Sequence, residues 1–383
     1  MLSTLLNKKT SIAIGAGISI VIIVGVAFAL TYESEPDKIV FQGERNKKLG
    51  LVINTPETAT TLETLNEVYS KASSIGIGRS NVYMFWNMIE PEQRNYNWDQ
   101  YDILMSFNKK NDLKVTLYFS LINGNTLGPF PNWIGKPSLA SISEDRLIEV
   151  LDTVLSRYDI VDTLIIAGET DAHFRYNEQD IPVYAELFNN VYDQLKEKHP
   201  DIKIGNAFSL HGVLNKNLEH IVEDLAIGDF VAFTYFPVDS LNEINKNSTA
   251  AISDLEKTFD LVPNKNVAFF EISWSTADLV GGSQTAQKEF LNVLFDYYKE
   301  NESKLEFVTW YRLYDRPQDS CYIDPESVEG TINIGGAPGL GSSEYVVERL
   351  SSYICNAGLL KTDGNPKLAW NEFSKLVEMS TNS

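Results

Sequence analysis

Two glutamates in this chain close runs of apolar residues. Glu169 ends Val161-Asp-Thr-Leu-Ile-Ile-Ala-Gly-Glu169, and Glu271 lies in Asn266-Val-Ala-Phe-Phe-Glu271-Ile-Ser-Trp274. A carboxylate carried into such surroundings is costly unless it is paired, neutralised or put to use. Two of them at matching places suggest paired acid–base or nucleophilic chemistry. Other chemistries find little support. The four histidines are scattered without H-E-x-x-H spacing, so no zinc site is expected, nor any other metal or cofactor. No G-x-S-x-G elbow is present for a serine hydrolase.

The elements that must hold these carboxylates alternate. Strand-like runs fall at Leu49–Asn54, Arg79–Phe85, Lys114–Leu121, Thr163–Gly168, Lys203–Phe208, Phe230–Tyr235, Val267–Ile272 and Phe307–Tyr311. Amphipathic stretches of helical length follow them, approximately Thr58–Ser73, Trp98–Asn111, Glu144–Tyr158, Pro182–Lys198, Asn215–Leu225, Ala250–Phe259, Thr285–Glu300 and Lys367–Met379. In the seventh, Phe290, Val293, Leu294 and Tyr297 share one face. Ser143 is expected to cap the third. Strand–helix alternation implies parallel strands joined by right-handed crossovers, and eight repeats predict an α/β (β/α)8 barrel. A doubly wound sheet would want a Gly-rich turn after its first strand, and Leu49-Gly-Leu-Val-Ile-Asn-Thr-Pro56 has none. The Gly335–Gly341 run lacks the lysine of a phosphate loop and is expected to be a loop beside the barrel mouth, within the large Asp315–Leu360 insertion.

On this count Glu169 ends the fourth strand and Glu271 the seventh, at the end of a barrel where active sites lie. The stretch Tyr83-Met-Phe-Trp-Asn-Met-Ile-Glu-Pro-Glu-Gln-Arg-Asn-Tyr-Asn-Trp98 carries an aromatic, a tryptophan, then Glu-Pro before a Tyr–Trp pair. With Phe233-Thr-Tyr-Phe-Pro237, Phe307-Val-Thr-Trp310 and Gly358-Leu-Leu-Lys-Thr-Asp-Gly-Asn-Pro-Lys-Leu-Ala-Trp370, it resembles the retaining clan A glycoside hydrolases across most of residues 48–375. That resemblance implies Glu271 as nucleophile and Glu169 as acid/base. A double displacement of this kind wants carboxyl groups ~5–5.5 Å apart, with the acid's pKa raised and the nucleophile ionised.

A cation or phenol beside Glu271 would favour its ionised form, and Arg79 and Tyr235 are the candidates. The resemblance also implies sugar platforms at strand ends, with Trp86, Trp133, Trp274 and Trp310 in those places. Trp133, in a loop, has the best chance of an exposed face, whereas Trp86 could equally be core. His173 is a candidate cleft residue. The clan carries an asparagine immediately before its acid/base; here that position is Gly168, and Asn81 and Asn206 are the candidate replacements. Two alternatives follow from Gly168 and from the shared residues: a degenerate barrel that binds glycans without cutting them, and a transglycosidase.

A formal net charge of −20 argues against nucleic acid as a partner, since phosphate binding wants a basic face. Residues 1–11 would be a cytoplasmic N-terminus and 12–31 a membrane-spanning signal anchor, because Ile12–Leu30 is uncharged and preceded by Lys8 and Lys9. A cleaved signal peptide is the alternative, ending near Ala27-Phe-Ala29. Residues 32–47 read as a linker and 48–380 as the barrel. Either way the barrel would face the cell exterior, tethered or secreted. The glycosylation triplets at Asn247 and Asn301 agree with that, as would a Cys321–Cys355 disulfide.

Overall fold

A computed structural model describes residues 41, 43–57, 59–321 and 343–381. The predicted N-terminal anchor and the Gly335–Gly341 loop lie outside them. Among the described residues, no helix is long and apolar enough to cross a membrane.

Eight parallel strands close into a barrel: β1 (Asn46–Leu51), β2 (Ile77–Met84), β3 (Lys114–Phe119), β4 (Val161–Ile165), β5 (Lys203–Ser209), β6 (Phe230–Tyr235), β7 (Asn266–Ile272) and β8 (Leu305–Trp310). Each pairs with the next in sequence, and β8 closes on β1. Helices form the outer ring as the periodicity predicts, with Ser143 accepting from the Arg146 amide at the start of Glu144–Arg157. The expected Asn215–Leu225 helix is instead two short ones, Leu210–Lys216 and Glu219–Asp224, because Asn217 takes a left-handed conformation between them.

The barrel interior mixes small and large side chains. Ala207, Ala232 and Ala268 sit side by side in the β5–β6–β7 ladder, making one row of methyl groups. That row leaves space for Tyr118, Phe230, Phe270 and Phe307 within the same buried cluster. Gly50 is small for a related reason: a β-carbon there would come within 2.6 Å of the Arg79 side chain, which crosses the barrel.

The described part of the last insertion packs against the mouth. Helix Ser343–Cys355 is tied by the Cys321–Cys355 disulfide to the short turn Gln318–Cys321 that follows β8. Tyr353 donates to the Ser273 carbonyl at 2.9 Å, and Arg349 and Tyr345 both reach Glu243 in the loop after β6. Phe236, Tyr311 and Tyr353 thereby pack as one aromatic group above β6–β8.

Candidate active site

Glu271 is aimed by an irregularity. Alternation along β7 puts Ala268 and Phe270 inside the barrel, so Glu271 should point outward. The β6–β7 register slips between Phe233 and Thr234, so that Phe233 pairs with Phe269 and Thr234 with Glu271. The β7–β8 ladder slips at the same level. This bulge turns Glu271 inward beside Phe270, as bulges near active sites commonly do. Asn81 steadies it, donating to the Phe270 carbonyl at 2.8 Å.

The Tyr83 hydroxyl donates to Glu271 Oε1. Tyr83 is held well above its ordinary pKa by burial and by the charge of Glu271, so it stays protonated as a donor. Glu271 is 3% exposed, and burial raises it to about 8, with the negative charge of Glu169 adding to the rise. The Tyr83 hydrogen bond and the Arg312 guanidinium oppose that rise without cancelling it.

Glu169 is half-buried and follows β4 in a left-handed conformation, φ +51°, which a non-glycine residue adopts only when its surroundings impose it. It accepts from Thr234 Oγ1 at 3.2 Å. Thr234 is the ladder partner of Glu271, so the residue that bonds Glu169 stands beside Glu271 in the sheet. Burial raises the Glu169 pKa, while Thr234 and the charge of Lys216 work against the rise. Two residues on, Asp171 anchors the turn by accepting from the Ser209 amide at 2.6 Å.

The other predicted residues divide sharply. Arg79 lies at the opposite, N-terminal end of the barrel, bonded to Thr116, Thr163, Asp162 and the Lys47 carbonyl. It sits four residues below Tyr83, about 13 Å along the strand, and is therefore not the cation beside Glu271. That place belongs to Arg312, which is 2% exposed and donates to the Tyr311 hydroxyl.

Tyr235 points outward to Asp254 at 2.8 Å, because it follows inward-facing Thr234; the phenol on Glu271 is Tyr83. Asn206 also faces outward and takes the Tyr184 hydroxyl at 2.5 Å. Trp274 and Trp310 are buried between sheet and helix against Phe290, so neither offers a face to a sugar. Trp86 is core, packed on Phe119 and Phe130 and donating to Glu90 at 2.8 Å.

Trp133 remains half-buried in its loop, fixed by the Glu90 carbonyl at 3.1 Å with the Arg146 guanidinium over its ring. His173 is 7% exposed; its Nδ1 lies 3.2 Å from the Asn125 carbonyl, so it supports a loop, and burial lowers its pKa. Tyr83, Tyr118, Thr234 and Arg312 were not foreseen at the site. Among the described residues, no group of histidine, cysteine and acidic side chains could hold a metal ion.

No family model matches the chain, and neither does any curated protein. Solved structures do match in fold. A GH5_18 protein from Streptomyces cattleya, a single-residue variant in complex with Manβ1-4GlcNAc, is 13% identical with a TM-score of 0.64, covering 88% of this chain and 81% of its own. A family 39 glycoside hydrolase from Bacteroides cellulosilyticus WH2 is 17% identical at 0.57, covering 88% and 64%. Xylanase 10B from Thermotoga maritima is 16% identical at 0.56, covering 87% and 95%. This chain has the (β/α)8-barrel fold of those glycoside hydrolases. Glu169 and Glu271 occupy the mouth of that barrel, and burial raises the pKa of both carboxyls; Glu271, at about 8, is held protonated at neutral pH, contrary to the ionised nucleophile that the resemblance implied.

Proposed function

We propose that the protein is a retaining glycoside hydrolase that cleaves O-glycosidic bonds of an extracellular oligo- or polysaccharide. The observation that carries this reading is that Thr234, which bonds half-buried Glu169, is the ladder partner of buried Glu271, so the two carboxyl residues meet where a barrel binds its ligand. In the first step a Glu271 oxygen attacks the anomeric carbon. The bond to the leaving oxygen breaks, and that oxygen takes the Glu169 proton. In the second step ionised Glu169 removes a proton from water, whose oxygen attacks the same carbon and releases Glu271.

Tyr83 and Arg312 both favour the Glu271 carboxylate, but burial outweighs them and holds its pKa at about 8, so this mechanism expects kcat/KM to rise with pH toward 8 as Glu271 ionises. Location outside the cell, behind an N-terminal anchor or after its cleavage, is part of the same proposal. The Cys321–Cys355 disulfide supports it, because such bonds persist in oxidising compartments.

The test is turnover of a panel of 4-nitrophenyl β-glycosides by the wild type, Glu169→Gln and Glu271→Gln, with product configuration followed by NMR. The reading expects hydrolysis with retention by the wild type. Glu169→Gln should retain more activity on the activated nitrophenyl leaving group than on an unactivated disaccharide, and Glu271→Gln should have none. Inverted product, or full activity in Glu271→Gln, would reject it.

A further inference from the structure

Gly168 leaves the position before Glu169 without a side chain, and the structure shows why it must. A β-carbon at 168 would lie 2.4 Å from Tyr118 Cε2 and 3.0 Å from its hydroxyl. The Tyr118 ring fills the space that any other residue there would need.

The chain brings a different side chain to the same place. After β3, residues 122–127 turn back as a short hairpin, Ile122–Asn123 pairing with Thr126–Leu127. This hairpin also extends the barrel sheet. Gly168 donates to the Ile122 carbonyl at 3.0 Å, and Gly124 donates to the Gly168 carbonyl at 3.1 Å. These bonds put Asn123 in parallel register with Gly168, so the two residues face the same side. The Tyr118 hydroxyl lies 3.1 Å from both the Ile122 carbonyl and Asn123 Oδ1. Next in the chain, Gly124 borders Glu169: its missing β-carbon would stand 3.6 Å from Glu169 Oε2.

Asn123 thus stands between Gly168, the residue before Glu169, and Gly124, which borders the Glu169 carboxylate, with one end of its amide held. The hairpin has further supports at its tip and base, where His173 meets the Asn125 carbonyl and Gly128 donates to the Leu121 carbonyl at 2.9 Å. Asn123 is only half-buried, and its Nδ2 makes no hydrogen bond among the described residues. A rigidly backed amide with a free donor, next to the group that protonates a glycosidic oxygen, is equipped to bind a neighbouring hydroxyl.

Resting on the glycosidase reading, we propose that Asn123, oriented by Tyr118, binds the hydroxyl next to the anomeric carbon of the sugar held between Glu169 and Glu271. The pair selects for glycosides that carry that hydroxyl. Asn123 is a substrate-binding residue, and Tyr118 is a positioning residue acting through it.

Binding is measured separately from cleavage. Glu271→Gln protein is titrated with Manβ1-4GlcNAc, cellobiose, xylobiose and β-1,4-galactobiose by calorimetry, and then with the 2-deoxy analogue (at the non-reducing sugar) of the tightest. Adding Asn123→Ala should weaken binding of the parent about five- to tenfold, the range of one neutral hydrogen bond, and leave the analogue within twofold. Adding Tyr118→Phe should weaken the parent by a smaller factor, with circular dichroism unchanged.

Equal losses for parent and analogue, no loss for either, or no binding of any of the four sugars overturns the inference. If the wild type hydrolyses nothing while binding still depends on Asn123, the inference stands and the cleavage reading falls. If hydrolysis proceeds and Asn123→Ala binds as tightly as its parent, the reverse holds.

Discussion

Glu271→Gln should make the protein more stable, and increasingly so as the pH rises. Folding carries the Glu271 carboxyl into a site that is 3% exposed, where burial and the neighbouring Glu169 raise its pKa from 4.5 to about 8. In the unfolded chain this group loses its proton near pH 4.5; in the folded chain it keeps the proton to about pH 8. Between those values the folded state holds more protons, so stability falls as the pH rises.

At about 1.4 kcal/mol per pH unit, the carboxyl removes roughly 3–4 kcal/mol of stability between pH 5 and pH 8. Glutamine keeps the shape and can still accept from Tyr83, but it does not titrate. Urea denaturation of wild type and variant at half-unit intervals from pH 5 to 8.5 reads the effect directly. The two stabilities should be similar at pH 5 and separate by roughly 3–4 kcal/mol at pH 8, with the variant the more stable. Parallel curves across this range would refute the claim that Glu271 is held against its own ionisation.

Tyr83→Phe removes the hydroxyl that favours ionised Glu271, so the acid limb of the kcat/KM profile should move to higher pH and kcat should fall about tenfold; an unmoved limb would remove Tyr83 from the mechanism. Gly168→Ala places a methyl 2.4 Å from the Tyr118 ring and should cost about 1–3 kcal/mol in urea denaturation, a penalty that should shrink when Tyr118 is also reduced to alanine. Arg79→Met breaks a buried ion pair far from the mouth, so it should cost roughly 3 kcal/mol of stability and leave disaccharide affinity unchanged within twofold. A large loss of affinity from Arg79→Met in a folded protein would return that residue to the binding site.

The barrel was legible because its signal is repetition: eight strand-like runs, each followed by an amphipathic helix, admit few topologies. Glu169 and Glu271 were legible as glutamates that no apolar run should contain. What failed was the direction of side chains.

Tyr235 and Trp310 are at strand ends as expected, but each occupies the outward phase of its strand, beside inward-facing Thr234 and Thr309. Arg79 has the correct phase and the wrong height, one strand-length below the mouth. Glu271 itself has the wrong phase by simple alternation, and only the bulge at Phe270 brings it inside. A bulge is set by backbone pairing between strands, which leaves no mark in the residues of one strand.

Tyr83 could have been found, since it lies on the same phase of β2 as Asn81 and two residues nearer the mouth. Thr234, one residue before the tyrosine chosen as partner for Glu271, needed the same phase argument. Asn123 depends on a hairpin that pairs with Gly168, a contact between segments 45 positions apart for which no local pattern exists.

A retaining mechanism at this site requires Glu271 to form a covalent bond to the sugar. Incubation with activated 2-deoxy-2-fluoro glycosides of the sugars that the wild type turns over, followed by peptide mass spectrometry, tests it most directly. One fluoroglycosyl unit should appear on the peptide containing Glu271, its release should be slow, and Glu271→Gln should remain unlabelled. Inactivation with the label on another residue, or sustained turnover with no covalent adduct, would contradict it.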